Sequence, residues 1–430
     1  MRSPSREVQT VVKKNWREIA RNNAVTIMFI VVCAVCMAFS GYAPSYVLYE
    51  LFGRLSRNAF IVLALIIPIV AGMGINFAIT IGAMAAQIAC ILVLEWGVTG
   101  FGGLALAALL TVPMASVFGF LIGKVLNKMK GQEMIGGMIL GYFANGLYQL
   151  LCLFIFDNII PINNPNLTIK GSTGIANTMD LTKGGIAQTL EKLWQLPVYQ
   201  AVPVFAAVVA AILLISYARS HRKNGKKLGM QLGALAAVSL LMQLQVMKDL
   251  FNMVKIPMAT FALVGVLCIF NVLLMRTRLG QQFRAVGQNR TVANASGINV
   301  DRVRIIAITI STVLAGWGQL IFVQNLGAFQ TYGAADQVGL YAGAAILVGG
   351  ASVVRATNTQ ALLGTVLFHL MFILAPAAGK NLLGDAAIGE YFRVFMCYGV
   401  IAMALVMHAW SQTATRKRPS SSLRGADGKK

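Results

Sequence analysis

The amino-acid sequence predicts an all-α polytopic membrane protein of about 10–12 transmembrane segments, some broken or short, with both termini in the cytoplasm. Hydrophobic residues make up 57% of the chain and charged residues only 12%, whereas a soluble domain carries about 25% charged residues. The net charge is +22, but the basic residues stand in short clusters between apolar runs. That distribution is typical of cytoplasmic loops and not of a nucleic-acid-binding surface, so we predict no nucleic-acid partner.

The distribution of charge divides the chain into three parts. Residues 1–23 form a basic segment that we predict to be cytoplasmic and retained, because no small-residue cleavage site closes the first apolar run. Residues 24–410 form the predicted transmembrane domain. Residues 411–430 form a second basic segment, the predicted cytoplasmic tail. An even number of crossings connects these two cytoplasmic ends.

The apolar runs give the predicted spans in chain order. The first covers residues 24–40 and is followed by residues 41–58, which contain Pro44 and three tyrosines and are interpreted as an outside loop. The next run, 59–81, is interrupted by proline and glycine and predicts a broken helix. The remaining predicted spans are 75–94, 101–122, 134–156, 197–216, 228–247, 257–275, 305–322, 339–350, 360–374 and 391–410.

Two long polar passages have opposite compositions. Residues 157–196 are rich in Asn, Thr, Gly and Pro and poor in Lys and Arg, which predicts an external loop. Residues 276–304 hold six arginines, with Asp301 as the only acid, and therefore predict a cytoplasmic segment that lies in water. Small and apolar residues alternate with polar ones in this second passage, which favours a short surface helix that docks on a partner.

The sequence carries none of the motifs that would make this chain an enzyme. No Walker A, HExxH or GxSxG sequence occurs, and the acids do not cluster. Cys33 and Cys36 have a redox or metal spacing, but they lie inside a predicted helix without a nearby histidine and are interpreted as small packing residues. We therefore predict no catalytic residue, no metal site and no cofactor bound by this chain.

The polar side chains at membrane depth are mostly amides rather than acids. An amide offers both a donor and an acceptor, which suits a passage for a neutral, hydroxyl-rich solute; interhelical hydrogen bonding is the alternative role. His369 is a candidate proton site, although a lone histidine without an acidic partner favours a helix–helix hydrogen bond. The candidate pathway residues are Asn76, Phe77, Gln87, Asn145, Gln149, Gln319 and Asn325.

A specific resemblance is carried by residues 276–304 and a piece further on. The first motif is Arg284-Ala-Val-Gly-Gln-Asn289, then Ala293, then Ser296-Gly-Ile-Asn-Val300, then Arg304-Ile-Ile-Ala. The second, Leu347-Val-Gly-Gly-Ala-Ser352, is similar to a glycine-rich GGxS piece. Together they resemble the inner-membrane permease subunits of ATP-binding-cassette importers, in the class for ribose-like sugars, autoinducer-2, nucleosides and branched-chain amino acids.

The resemblance implies a permease subunit of the bacterial inner membrane that moves a small polar solute, a simple sugar or a nucleoside. The implied partners are ATPase subunits that bind ATP, a second permease subunit that is identical or homologous, an external solute-binding protein, and membrane lipid. Residues 276–304 are then the coupling segment, which rests in a groove of the ATPase subunit. The implied ATPase-coupling residues are Arg284, Gly287, Asn289, Ala293, Gly297 and Ile298.

The residue types in the coupling segment fit this role. Gly287 and Gly297 suit a tight turn or a close backbone approach. Asn289 can cap a short helix, and Ala293 is small enough to let that helix lie close to a partner surface. The family's sugar branch often carries an acid where residues 82–87 read Gly-Ala-Met-Ala-Ala-Gln, so the resemblance does not name the solute.

The alternative function is a self-contained, ion-coupled secondary transporter with His369 or Glu95 as the coupling site. Ion-driven carriers usually place ionisable groups at mid-depth in the membrane. Because such groups are scarce in this sequence, the permease interpretation is favoured.

Overall fold

The computed structural model describes residues 23–129, 131–165, 167–168, 174–219, 225–252 and 254–416. The described helices are α1 (Ala24–Ser40), α2 (Pro44–Ala64), α3 (Ile66–Val70), α4 (Ile79–Glu95), α5 (Gly100–Lys128), α6 (Glu133–Leu150, extended by a π-helical turn over Leu151–Ile155), α7 (Thr189–Leu193), α8 (Val198–Arg219), α9 (Gly225–Leu241), α10 (Gln245–Phe251), α11 (Met258–Leu274), α12 (Arg278–Gln288), α13 (Arg290–Ala295), α14 (Val300–Leu326), α15 (Val338–Val348), α16 (Asn358–Leu383) and α17 (Ala386–Arg416). The strands are β1 (Thr178–Asp180), β2 (Gln195–Pro197), β3 (Lys255–Pro257) and β4 (Ala328–Gln330).

The predicted all-α polytopic class is confirmed. The basic segments predicted at 1–23 and 411–430 lie mostly outside the described residues.

Helices long and apolar enough to cross a membrane occur throughout the described chain. Five spans meet that condition: Pro44–Val70, Gly100–Lys128, Glu133–Ile155, Val300–Leu326 and Asn358–Leu383. Counting each of two bent helix pairs as one span raises the number to 7. The shorter apolar helices are Ala24–Ser40, Ile79–Glu95, Val198–Leu214 and Val338–Val348. The predicted range of about 10–12 segments is reached only when these shorter helices cross as well.

One of the two bent helix pairs is not a single membrane span. α11 and α12 meet at a bend of 76°, and α12 is only 11 residues long. Its Phe283 and Val286 are buried, whereas Arg278 and Arg284 are exposed. A short helix with one apolar side and exposed arginines lies along a membrane face, so α11 alone is the apolar part of the pair.

The predicted outside loop over 41–58 is wrong, because α2 begins at Pro44. Ala43, with extended backbone, precedes it, and proline fits the first turn of a helix, where its missing N–H costs nothing. The polar residues that suggested a loop lie on the helix surface: Glu50 and Arg54 form an ion pair of 3.7 Å one turn apart. After Ala64 the chain continues through α3 to the break predicted in this run, at residues 71–78.

α14 is the central helix of the described bundle. It packs against α2, α4 and α5, while α16 packs against α1, α2, α15 and α17. A Cβ placed on Gly82 in α4 would lie 2.2 Å from the Thr312 carbonyl oxygen in α14. Glycine at such a position lets two helix backbones approach closely, which is how helices gain packing energy inside a membrane.

The two ends of α14 define two faces of the protein. The segment 276–299 leads into its N-terminus at what we call the inner face. At its C-terminus, the outer face, the Leu181 N–H donates to the Gly327 carbonyl at 2.9 Å and the Gln188 N–H donates to the Gln324 carbonyl at 2.7 Å. A helix of 27 residues spans roughly 40 Å, so residues 276–299 and the described parts of 157–196 lie on opposite faces.

The outer face carries the four short strands and α7. β1 pairs antiparallel with β4, and β2 pairs antiparallel with β3. The Glu95 carboxylate, at the end of α4, accepts the backbone N–H groups of Asn163 at 2.8 Å and Asn164 at 3.1 Å. These contacts fold the 157–196 passage, where it is described, down onto the helical bundle.

Candidate functional site

The coupling segment folds as two short helices joined by a capping residue. α12 begins after Thr277, whose hydroxyl accepts the Gly280 N–H at 3.2 Å, and α13 begins after Asn289. The Asn289 Oδ1 atom accepts the backbone N–H groups of Thr291 at 3.0 Å and Val292 at 3.1 Å. Donors at the start of α13 are thereby satisfied, as expected for an asparagine at this position.

Gly287 makes a close backbone approach, and its partner is this chain's own broken helix. A Cβ placed on Gly287 would lie 2.1 Å from the Val70 carbonyl oxygen and 3.1 Å from the Gly72 nitrogen. Gly72 has a φ of 74°, a conformation that glycine adopts without steric cost. α12 therefore rests on the turn that follows α3, and this turn leads to Asn76 and Phe77.

The remaining coupling candidates differ in exposure. Ala293 is 2% exposed and packs against the hydrophobic core, so its small side chain serves a contact within this chain rather than one with a partner surface. Gly297 has a φ of 81°, and a Cβ there would meet no atom within 4 Å. Ile298 is half-buried against the core. Of the six candidates, Arg284 and Asn289 have exposed side chains.

The exposed side of α13 contains a residue that sequence reasoning missed. Val292 is 60% exposed, although the side chain that follows it, Ala293, is buried. The sequence signal for Val292 was local. Val292 stands three positions after the Asn289 cap and next to Ala293, so a helix there places one of these two apolar residues on each side. A single exposed apolar side chain is common on protein surfaces and does not by itself identify a contact site.

An ion cluster joins the coupling segment to α6 and α14. Arg304 is 1% exposed, which corrects the expectation that the whole 276–304 passage lies in water. Its guanidinium contacts the Glu133 carboxylate and donates through Nη1 to Asn127 Oδ1 at 2.7 Å. Arg290 lies 2.9 Å from the same carboxylate and donates to the Gly72 carbonyl at 2.8 Å. Pairing with Glu133 offsets part of the free-energy cost of burying the Arg304 charge.

Two cavities lie in the helical bundle, and two of the candidate pathway residues, Phe77 and Asn145, line the smaller one. The smaller, of about 40 Å³, is lined by Phe77, Asn145 and Asp336 among others. The larger, of about 420 Å³, is lined by Gln337 and His369 and again by Asp336. Asp336 therefore borders both cavities, and desolvation raises the pKa of its carboxyl group above the ordinary value.

Three of the candidate amides are buried without full hydrogen bonding. Neither polar side-chain atom of Asn76 or of Gln87 has a hydrogen-bond partner among the described residues. Gln319 donates to the Ala334 carbonyl at 3.5 Å, and its Oε1 atom has no partner in the same part of the chain. Buried amides are normally satisfied, so these side chains retain donors and acceptors for water or a solute.

Two other candidates are not part of this group. The Asn325 Nδ2 atom donates to Glu191 Oε1 at 2.6 Å, and Gln324 Nε2 donates to the same oxygen at 3.1 Å. These bonds attach α7 at the outer face to α14. Gln149 is half-buried on α6 and lines neither of the two cavities.

Sequence reasoning did not select Asp336 or Thr80 for the pathway. Thr80 lines the smaller cavity and stands one turn after Asn76. The sequence signal that could have selected Thr80 was therefore its position just after the predicted break in the helix. Asp336 precedes Gln337 and the short apolar helix α15. The sequence signal that could have selected Asp336 is a carboxylate next to an amide, just before the apolar residues of α15.

The described chain is thus a polytopic helical bundle with two short polar helices, α12 and α13, on one face and polar side chains around two cavities. The chain belongs to the family described as branched-chain amino acid transport system / permease component, which matches residues 47–405. The family and the apolar helices together define a multi-pass protein of the bacterial inner membrane.

Several curated proteins are similar to parts of this chain. The xylose transport system permease protein XylH of Haemophilus influenzae is 24% identical over 253 residues, which cover 57% of this chain and 64% of that protein. The ribose import permease protein RbsC of Escherichia coli K12 is 32% identical over 136 residues, 31% of this chain and 40% of that protein. The nucleoside ABC transporter permease protein NupC of Lactococcus lactis is 32% identical over 134 residues, with the same two shares, 31% and 40%. Each match covers less than two thirds of the relative's length. No solved structure matches the chain significantly.

Proposed function

We propose that this chain is the transmembrane permease subunit of an ATP-binding-cassette importer and that its solute is a simple sugar or a nucleoside. The observation that carries the proposal is the packing of Gly287 against Val70 and Gly72. It connects a segment suited to docking with the turn that leads to Phe77, which lines a polar cavity. The relatives named for xylose, ribose and nucleosides support this class of solute.

The partners follow from this assignment. ATPase subunits bind and hydrolyse ATP at the inner face, and we expect this chain to contribute no catalytic residue, metal or cofactor. An external solute-binding protein delivers the solute at the outer face. A second permease subunit, identical or homologous, packs beside α6. This helix exposes Tyr142 and Phe143 by 71% and 64%, and its Asn145 lines the smaller cavity.

The coupling residues divide into a contact set and a supporting set. Arg284 and Asn289, with the exposed Val292, contact the ATPase subunit. Gly287, Ala293, Gly297 and Ile298 shape the segment from within, because they pack on this chain or form its turns. A movement of the ATPase is thereby transmitted to the backbone at Gly72.

The solute route runs past the buried amides and the two cavities. Asn76, Gln87 and Gln319 offer unpaired polar atoms, and amides can bind sugar hydroxyl groups as donors and as acceptors. Phe77 and Asn145 line the smaller cavity. Gln149 and Asn325, which line neither cavity, would extend the route toward the outer face.

The structure gives no comparable support to an ion-coupled secondary transporter. Glu95 accepts two backbone N–H groups at the outer face, which is a structural use of its carboxylate. His369 is 6% exposed and packs edge-on against Phe368 and Phe372. Among the described residues, neither side chain forms an ion pair or a hydrogen bond with a second ionisable group, as a proton relay would need.

Reconstitution into liposomes tests the proposed function. With its ATPase subunits and binding protein, the chain should take up labelled xylose, ribose or uridine only when ATP is supplied. Alone, it should show neither uptake nor ATP hydrolysis. Uptake by the isolated chain driven by a proton gradient would instead support the secondary transporter.

A further inference from the structure

A cleft of about 930 Å³ opens at the inner face between α11, α12 and the start of α16. We propose that this cleft binds the phosphate-bearing headgroup of an anionic phospholipid. Its wall contains Arg276 and Arg355, together with Arg284 at the edge of the proposed ATPase contact, and no acidic residue is part of that wall. All three side chains are exposed, and none of them pairs with a carboxylate within the described part of the chain.

The N-terminus of α16 adds a second attraction for an anion. Thr357, Asn358 and Thr359 line the cleft, and the Thr357 hydroxyl caps the helix by accepting the Gln360 N–H at 3.3 Å. α16 is 26 residues long, so its first turn carries the positive end of a full helix dipole. Backbone N–H groups at such an end bind phosphate, and here they lie in the same cleft as three arginines.

The rim of the cleft favours a lipid over a soluble phosphate. Val272 lines the cleft and is 44% exposed. Ile269 and Leu273, on the adjoining surface of α11, are 59% and 56% exposed. Residues three apart share one side of a helix, so an acyl chain can follow Val272 and Ile269 away from a headgroup held by the arginines. Basic pockets between transmembrane helices are typical sites for anionic headgroups.

A lipid in this position would contact three elements at once. Arg276 lies at the bend of 76° between α11 and α12, Arg284 lies on α12, and Arg355 precedes α16. A bridging phosphate therefore holds the coupling segment at a fixed angle to the bundle. The inference does not depend on which solute the protein carries.

The test compares arginine variants in nanodiscs of phosphatidylcholine alone or mixed in equal amounts with phosphatidylglycerol. The variants are Arg276→Gln, Arg355→Gln and the two combined, and the control is Arg278→Gln, which lies on α12 but outside the cleft. Native mass spectrometry measures the ratio of the two lipids retained. We expect each cleft variant to lower the preference for phosphatidylglycerol about fivefold, and the double variant about 25-fold, with no change in Arg278→Gln, since each arginine near an anionic headgroup contributes about 1 kcal/mol.

Thermal stability in phosphatidylcholine alone shows whether the variants fold, and it should equal that of the wild type. An unchanged lipid preference in the folded double variant would overturn the proposal, as would an equal loss in Arg278→Gln. Inorganic phosphate is the probe for a soluble ligand. If it removes the preference for phosphatidylglycerol, the cleft binds a free anion and the lipid assignment is wrong. Loss of phosphatidylglycerol on addition of the ATPase subunit would assign the cleft to that subunit instead.

Discussion

The carboxylate of Glu133 lies 2.9 Å from the guanidinium of Arg290 and contacts that of Arg304 as well. Glu133 begins α6, the helix whose Asn145 lines the smaller cavity. Arg290 begins α13 in the coupling segment and also donates to the Gly72 carbonyl. One carboxylate thus joins the proposed docking segment to the helix beside the proposed solute route.

Replacing Glu133 by Gln should destabilise the protein strongly. Arg304, 1% exposed, would keep its charge and lose its acid partner, and breaking a buried ion pair from one side costs about 3–5 kcal/mol. Denaturation in mixed micelles measures the free energy of unfolding. Asp301→Asn is the control, because Asp301 is the exposed acid in the first turn of α14, and its loss should cost at most about 1 kcal/mol.

A double variant separates lost pairing from lost packing. Glu133→Leu combined with Arg304→Leu removes both buried charges, whereas Arg290 is 35% exposed and can turn to water. The double variant should therefore be more stable than Glu133→Leu alone. Equal stability of the two would show that the ion cluster contributes little.

Gly287→Ala should weaken the contact between α12 and the broken helix. The added Cβ would lie 2.1 Å from the Val70 carbonyl oxygen, and overpacking of this kind typically costs about 1–3 kcal/mol. Gly265→Ala in α11 is the matched control, since a Cβ there meets no atom within 4 Å and alanine favours a helix. Hydrogen exchange over residues 66–74 should rise only in Gly287→Ala, and similar exchange in both variants would contradict the packing argument.

Local features of the coupling segment could be predicted from the sequence, and long-range ones could not. The Asn289 cap depends on the next three residues, all of which are visible in the sequence. The burial of Arg304 depends on Glu133, which is 171 residues away, so the charge pattern alone placed Arg304 in water. Ala293 was assigned to the wrong surface, because its size does not reveal which side of α13 faces the bundle.

For the proposed solute pathway too, the sequence predicted the residue types but not their long-range contacts. Amide side chains were recognised by their polarity, but polarity does not distinguish Asn325, which binds Glu191, from Asn145, which lines a cavity. The helix from Pro44 was missed because tyrosine and arginine at the end of a span look like a loop. Asp336 became a candidate only when folding brought it to the border of two cavities.

The predicted orientation can be tested with exposed positions on the two faces. Lys183→Cys at the outer face should react with an impermeant thiol reagent in intact cells, and Arg278→Cys at the inner face should react only after lysis, because the Lys and Arg bias places the inner face in the cytoplasm. The six native cysteines provide a low background, since five are buried and Cys268 is half-buried. Labelling of the Arg278→Cys variant in intact cells, with the Lys183→Cys variant protected, would reverse the assigned topology.

Asp336→Asn and Asn145→Ala should impair solute uptake without detaching the ATPase subunit. Asp336 borders both cavities, and Asn145 lines the smaller one. Asp336→Asn replaces a carboxylate acceptor by a weaker, neutral amide, and Asn145→Ala deletes an amide from the proposed route. Losing one hydrogen bond to a solute in such a site costs about 1–3 kcal/mol, with bonds to charged groups at the upper end, which corresponds to roughly 5- to 150-fold in the KM for uptake. The control is Leu147→Ala, on the same helix, because Leu147 is 52% exposed and lines neither cavity. Uptake and co-purification of the ATPase are measured on the same preparations. Normal uptake in both pathway variants would move the solute route away from these cavities, and loss of the ATPase in either one would show that the substitution acts through the coupling segment instead.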